Sequence, residues 1–477
     1  MAAPHLNLTS LGSINADGSR RYIHPADVAG PFTRWRRLVA GLLLLIYIAL
    51  PWIPVGGYPA VFLDVAQRRF HFFGMTFATQ DLWVAFFFAA GLGFSLFFVT
   101  SLLGRIWCGW TCPYTVFLEH VFRRVERWID GDAPARRKLE DAPWTGAKIF
   151  KRVLKHGIFI LLAALIAHIF LSYFVSIKGL YGMMHQSPGD HLVAFGVVAA
   201  LTFLLYGCFS WFREQFCVIM CPYGRLQSAL TDDNTVVIGY DRKRGEPRGK
   251  VSDPNAGDCV SCNRCVQVCP TGIDIRNGLQ LECIGCAACV DACDAIMAKV
   301  KRPKGLVRYD SLEGLNGGKT RLIRPRTILY SVVLVLGMTA FFIAFSRIEP
   351  VRASAVRMPG APYYLADDVV RNQFLVRVIN KRKDPVSYKL ELEGELPPGL
   401  QVTGLDETLT LQGLAEDQKA LVMSAPVSNF DRKFHFNVKV TELDHDGAVS
   451  RSKKMEMLGP DMKLRSDKPL DAKDYIQ

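Results

Sequence analysis

The chain has 477 residues, half of them apolar, and a formal charge of +13. The apolar residues gather in nearly uncharged stretches of about 20, the length that crosses a ~30 Å hydrocarbon layer as a helix, which excludes an ordinary soluble globule. The basic residues cluster in alternate loops, not in one continuous stretch, so the charge points to a membrane and away from nucleic acid.

Residues 1–33 are mixed and polar, without apolar periodicity, and read as a mobile arm. Arg34, Arg36 and Arg37 extend this N-terminal segment to residue 37. The first apolar run starts late, is long and lacks a small-residue cleavage site, so it reads as a span and not as a secretory signal. Five spans are expected: Leu38–Val55, Leu82–Leu103, Ile158–Ile177, Leu192–Phe212 and Thr327–Phe345. The first four make a membrane domain over 38–212. A polar segment, 213–326, separates it from the last helix at 327–346.

Basic residues set the orientation. The loop 104–157 holds eleven Lys or Arg, among them Arg123, Arg124, Arg136, Arg137 and Lys138, and the segment 213–326 holds eighteen. The opposite loop, 178–191, has only Lys178. The N-terminus, 104–157 and 213–326 are therefore expected in the cytoplasm of a bacterial cell, and 347–477 in the periplasm. Trp107, Trp110 and Trp211, at span ends, fit an aromatic belt.

The C-terminal region changes character. Phe374–Lys381, Ser387–Leu396, Leu409–Leu414, Lys419–Ser424, Phe434–Leu443 and Ala448–Leu458 alternate or are β-branched, and turn residues such as Pro397-Pro398-Gly399 separate them. Short strands at this spacing suggest an immunoglobulin-like sandwich. The fold class expected is thus a polytopic α-helical membrane protein of five spans. It carries a two-cluster ferredoxin segment at about 250–300, for the reason that follows, and a C-terminal β-sandwich.

All thirteen cysteines lie at or before Cys293. Eight form two runs, Cys259-x2-Cys262-x2-Cys265-x3-Cys269-Pro270 and Cys283-x2-Cys286-x2-Cys289-x3-Cys293. Four thiolates around an iron–sulfur cube come as three close ligands and one distant one, and in two-cluster bacterial ferredoxins the fourth serves the other cluster. That pairs Cys259, Cys262 and Cys265 with Cys293, and Cys283, Cys286 and Cys289 with Cys269, for two [4Fe–4S] clusters. Zinc ribbons use C-x2-C pairs but have no reason for the third and fourth cysteines of each run. Asp294 stands where a Pro usually follows the second run.

Four more cysteines form a second pattern. Cys108-Gly-Trp-Thr-Cys112-Pro113 follows the second span, and Cys217-Val-Ile-Met-Cys221-Pro222 follows the fourth. Pro suits the first position of a helix, where its missing N–H is not needed. Cys112 and Cys221 would then cap helix N-termini, where the dipole favours thiolate. Four soft thiolates would suit Cu(I) or a dithiol relay; the alternative is that cysteine is a small apolar filler, as assumed for Cys208. His168, inside the third span, has no histidine at matching depth for a haem and reads as a hydrogen-bonded bundle residue. Met183, Met184, His185, Met455, Met457 and Met462 could be soft copper ligands, although strand alternation and packing account for them equally well.

The stretch Cys269-Pro-Thr-Gly-Ile-Asp-Ile-Arg-Asn-Gly-Leu-Gln-Leu-Glu-Cys283-Ile-Gly-Cys286 resembles the signature of the FixG/CcoG (RdxA) family, accessory proteins of cbb3-type cytochrome c oxidase. The paired C-x3-C-P motifs, the late single span and the β-rich outer domain extend the likeness over nearly the whole chain. It implies that the eight clustered cysteines hold iron. It further implies that the protein reduces Cu(II) to Cu(I) for the oxidase copper centre, with Cys108, Cys112, Cys217 and Cys221 matching the membrane motifs. Oxidase subunits or copper-delivery proteins would be its partners, with a cytoplasmic electron donor. Alternatives of other classes are a quinol dehydrogenase feeding a periplasmic reductase and a redox-sensing scaffold.

Overall fold

The computed structural model describes residues 22–460, apart from 79–80, 348–350, 367, 383, 395, 406–407, 430–432 and 445–449. Met462 lies outside the described residues, as does most of the N-terminal arm. The chain divides into two compact units, Met1–Ala344 and Phe345–Gln477.

Among the described residues of the chain, five helices are long and apolar enough to span a membrane: Pro31–Trp52, Trp83–Leu103, Gly146–Leu171, Pro188–Phe212 and Pro325–Ser346. Their outward faces are apolar. Leu38, Leu42 and Leu45 recur at helical spacing on the first and are 58%, 58% and 62% exposed. Such a stripe would be a liability in water and is what lipid covers. Two helices begin earlier than hydropathy suggests. The first starts at Pro31, in the favoured first-turn position for proline. The third starts at Gly146, capped by Thr145, whose Oγ1 accepts from the Lys148 amide at 3.3 Å. Its opening turns carry Lys148, Lys151, Arg152 and Lys155, which an apolar window leaves out.

The segment expected as a mobile arm is held from residue 22 onward. The Ala26 amide donates to the Gln267 carbonyl at 2.8 Å, and Arg136 donates to the Pro25 carbonyl at 2.8 Å. The start of the first span is fixed from elsewhere in the chain. Buried Asp291 accepts from the Thr33 amide and hydroxyl, both at 2.7 Å, and from the Phe32 amide at 3.2 Å. A carboxylate there satisfies orphan N–H groups and meets the positive end of the helix dipole. Gly30 is required at this contact, since a Cβ would fall 2.2 Å from the Asp291 side chain.

Between the first two spans the chain forms an antiparallel sheet, Val61–Asp64, Arg69–Phe72 and Met75–Ala78, which the sequence reading does not anticipate. After the fourth span, a two-stranded ladder of Val237–Tyr240 with Val307–Asp310 frames the cysteine-rich segment.

The second unit is a β-sandwich. One sheet runs Gln401–Thr403, Glu416–Pro426, Val369–Asn380, Val351–Arg357, with Tyr364–Ala366 also on Val369–Asn380; the other runs Leu409–Leu411, Val386–Glu393, Lys433–Glu442, Ser450–Leu458. Alternate residues of each strand point inward, so Phe374, Tyr388, Met423, Phe436, Val440 and Met457 make a closed core. Phe374 and Phe436 meet edge to face at 5.3 Å. Met457 is fully buried in that core, a packing role and not that of a surface metal ligand.

Candidate functional site

The two four-cysteine runs fold alike. In the first, Ser261 and Asn263 have φ of 53° and 55°; in the second, the equivalent Gly285 and Ala287 have 66° and 58°. The residues flanking the second cysteine are thus left-handed in both runs, curling the backbone around one point before a helix begins at Arg264 or Ala288. Non-glycine residues hold this conformation only where their surroundings over-determine it. Two separate cavities result. One is lined by Cys259, Cys262, Cys265 and Cys293, the other by Cys269, Cys283, Cys286 and Cys289, with Cys265 at its edge. Each therefore takes its distant fourth cysteine from the other run, the crossed arrangement of a two-cluster ferredoxin. The donor set, all soft sulfur in an apolar shell that includes Ile238, Ile275 and Val290, fits a pair of iron–sulfur clusters.

Asp294 departs from the usual proline for a local reason. It lies inside the helix Ala288–Lys299, where proline would break the ladder, and its carboxylate accepts from the Gly305 amide at 2.8 Å. Pro270, after the first run, instead offers its carbonyl to Arg123 at 3.1 Å.

The C-x3-C-P motifs are also structural equivalents. The second span ends at Gly104 and the fourth at Arg213, with φ of 55° and 49°. Four residues later come Cys108 and Cys217. The amides of Cys112 and Cys221 each reach back five residues, to the carbonyls of Trp107 and Phe216, both at 2.9 Å. Cys112 and Cys221 then occupy helix N-cap positions, with Pro113 and Pro222 opening the helices Pro113–Phe117 and Pro222–Leu230, as expected.

The structure brings these four cysteines into one electrostatic neighbourhood. Burial pushes the Cys217 thiol up to about 12, and repulsion from Cys112, Cys108 and Cys221 adds to it. Cys108 is raised as well, chiefly by burial, against the pull of Arg105. The Gln227 amide straddles Cys108 Sγ at 3.5 and 3.6 Å and is held in turn by Arg105.

The contact between the two cysteine systems is direct. A Cβ on Gly109 would lie 2.5 Å from the Ile284 carbonyl and 2.9 Å from the Cys286 backbone, and one on Gly285 would meet Arg105 at 3.1 Å. The membrane-edge motif therefore packs backbone to backbone on the loop of the second cysteine run. Arg36, buried, bonds the Gly109 carbonyl at 2.9 Å from the first span. Trp110 is not a lipid anchor: its Nε1 donates to the Tyr309 hydroxyl at 3.2 Å, which donates to the Gly285 carbonyl at 2.6 Å. The exposed Trp211 keeps the belt position. Gly109, Gln227 and Tyr309 are not singled out in the sequence, and Arg36 reads there only as one of three basic residues before the first span; the glycine inside a cysteine motif alone offers a signal.

Beneath this site lies a buried ion network. Glu126 faces Arg213 at 3.1 Å and Arg136 and Lys155 at 3.5 Å; Lys155 also pairs with Asp130 at 2.6 Å, and Arg123 with Glu214 at 2.7 Å. Arg123 and Arg136, two of the basic residues read as loop charge, are thus internal partners. His168 keeps the bundle role expected of it, with Nδ1 2.7 Å from the Ala164 carbonyl.

Comparison with known proteins agrees with this arrangement. The family described as a 4Fe-4S dicluster domain matches residues 212–312, a 4Fe-4S binding domain matches 82–132, and the IG-like fold at the C-terminal of FixG matches 341–460. Nitrogen fixation protein FixG of Rhizobium meliloti is 35% identical over 81% of this chain and 82% of its own length. Protein RdxA of Cereibacter sphaeroides is 36% identical over 81% of this chain and 86% of its own. A solved FixG-related protein from Vibrio parahaemolyticus aligns with 23% of this chain and 96% of its own, at 16% identity and a TM-score of 0.20. At 35% and 36% identity to FixG and RdxA over 81% of its length, and with the FixG C-terminal domain present, the chain belongs to the FixG/RdxA family of membrane-bound iron–sulfur electron-transfer proteins.

Proposed function

We propose that this protein reduces Cu(II) to Cu(I) at its membrane-edge cysteines, in the service of assembling a cbb3-type cytochrome c oxidase. The observation that carries the reading is the backbone contact of Gly109 with Ile284 and Cys286, which joins a four-thiol site to a cluster-binding loop. Cys259, Cys262, Cys265 and Cys293 would hold one cluster and Cys283, Cys286, Cys289 and Cys269 the other, and the chemistry these supply is one-electron transfer. One electron is what each cupric ion needs.

Cys108, Cys112, Cys217 and Cys221 are the groups that would meet copper as a substrate. Soft thiolates favour Cu(I) over Cu(II), so capture by sulfur and reduction assist each other. The reduced ion would go to oxidase subunits or to copper-delivery proteins.

The test is the double substitution Cys217→Ser with Cys221→Ser in the full-length protein, purified without oxygen. Both cluster signals in paramagnetic resonance should persist, while reduction of added Cu(II) by the pre-reduced protein falls to the buffer rate. A double variant that reduces copper like the parent would assign these cysteines to packing.

In this reading both cysteine systems are cytoplasmic and the sandwich is periplasmic. Even without the buried Arg123, Arg136, Lys148 and Lys155, seven basic residues remain in 104–157 against one in 178–191. Alkaline phosphatase fused after Gln477 should be active, and a fusion after Gly249 inactive. The reverse result would invert the protein in the membrane.

A further inference from the structure

A cavity of about 130 Å³ lies between the membrane-edge thiols and the second cysteine run. A single water needs roughly 10–15 Å³ on such a measure, so the space suits an organic ring. Its position is shared by both redox elements. Arg105 and Gln227, which hold Cys108, line it together with Cys283, Gly285 and Tyr309. Leu103, Val237, Leu279 and Leu281 supply apolar wall. Leu103 is the last residue of the second span, and both it and Leu281 are about two-fifths exposed, so the wall reaches the membrane edge. Asp232 and Asp233 also line it, with Asp232 paired to Arg324 at 2.9 Å.

We propose that this cavity is a quinol site and that a membrane quinol is the electron source. The proposal rests on the electron-transfer reading above and names its donor. An apolar wall with a few fixed polar groups suits a ring that carries two hydroxyls and an apolar tail. A path for metal ions would be lined by ligands and not by leucine and valine. Arg105, Gln227 and the Tyr309 hydroxyl, each already bonded within the protein, are polar groups of the wall that a ring oxygen would meet.

The balance of the reaction accounts for two one-electron centres. Oxidation of one quinol breaks two O–H bonds, makes two carbonyls and releases two protons and two electrons. The two protons are released to water. The two clusters these cysteines would hold would each take one electron, so that two cupric ions would be reduced per quinol.

The test uses the full-length, cluster-loaded protein in lipid nanodiscs and the fluorescent quinol analogue 2-heptyl-4-hydroxyquinoline N-oxide. Saturable quenching at one site per chain is expected, reversed by ubiquinone-1. Leu281→Trp and Leu312→Trp fill the cavity from opposite walls, and each should weaken binding by about tenfold or more. Iron and sulfide content reports whether each variant is folded, and two variants guard against the loss of one. No saturable quenching in the parent, or unchanged affinity in both folded variants, overturns the proposal. Copper reduction by dithionite-reduced parent protein is measured in the same preparation; its success alongside failed analogue binding would remove the quinol site and leave the copper reading standing.

Discussion

Replacing Glu126 by alanine should destabilise the membrane unit by about 3–5 kcal/mol, the range for breaking a buried ion pair from one side. The carboxylate is 4% exposed and faces Arg213, Arg136 and Lys155, which come from different elements. Removing it leaves a buried positive charge without compensation. Arg213 suffers most, because its left-handed backbone at the end of the fourth span is held by this contact and by Glu214. Thermal unfolding in detergent should fall by on the order of 10 °C. Glu126→Gln, which keeps the shape and some hydrogen bonds, should fall between parent and alanine variant. Because Arg123 in the same network also holds the Pro270 carbonyl, beside cluster ligand Cys269, iron should be lost from the alanine variant at lower temperature. A melting temperature within about 2 °C of the parent would show that the network contributes little.

The same group carries an acid sensitivity. Burial alone would raise the Glu126 carboxyl, but Arg213, Lys155 and Arg136 outweigh it and hold the group well below the usual carboxylate range. A carboxyl depressed in the folded state stabilises the fold above its unfolded value, about 4.3, and that contribution fades as the pH falls below it.

The second large effect is expected at Gly109. Valine there should leave both cluster signals in place and slow reduction of Cu(II) by about tenfold to a hundredfold, the scale of a misplacement near 1 Å. The added Cβ would stand 2.5 Å from the Ile284 carbonyl, closer than atoms approach, so the loop of the second run must move away from Cys108. Gly157→Ala, where a Cβ meets nothing within 4 Å, serves as the control in a neighbouring span. Stopped-flow mixing of pre-reduced protein with Cu(II) measures the rate. A valine variant as fast as the parent would mean that electrons do not cross at this contact.

The two cysteine systems differ from their surroundings in how legible they are. The expected grouping of the eight cysteines was legible from spacing because three of each four lie close in sequence, and the two cavities follow it apart from Cys265, which lines both. The sandwich was legible where strands alternate strongly, as in Phe374–Lys381, and missed at Val351–Arg357, whose Arg, Ala and Ser residues give a weak period. The spans were legible in number but not at their polar starts. What spacing could not show is pairing between distant segments. Arg136 and Arg123 look like loop charge until Glu126, Glu119 and Glu214 close around them. Trp110 looks like a lipid anchor until Tyr309 arrives from the far side of the cysteine-rich segment. Gly109 looks like a spacer until the second run packs on it.

The cap of the first span by Asp291 has a consequence for biogenesis. The helix that begins at Pro31 is made early, but the carboxylate that satisfies its first amides lies between Cys289 and Cys293 and leaves the ribosome much later. Until then the helix can sit in the bilayer with its leading amides bonded only to water. The final seating of the first membrane helix therefore waits on the folding of the iron-binding segment. Starving cells of iron should leave that helix end open to protease, as a mark of chains whose metal centres were never built.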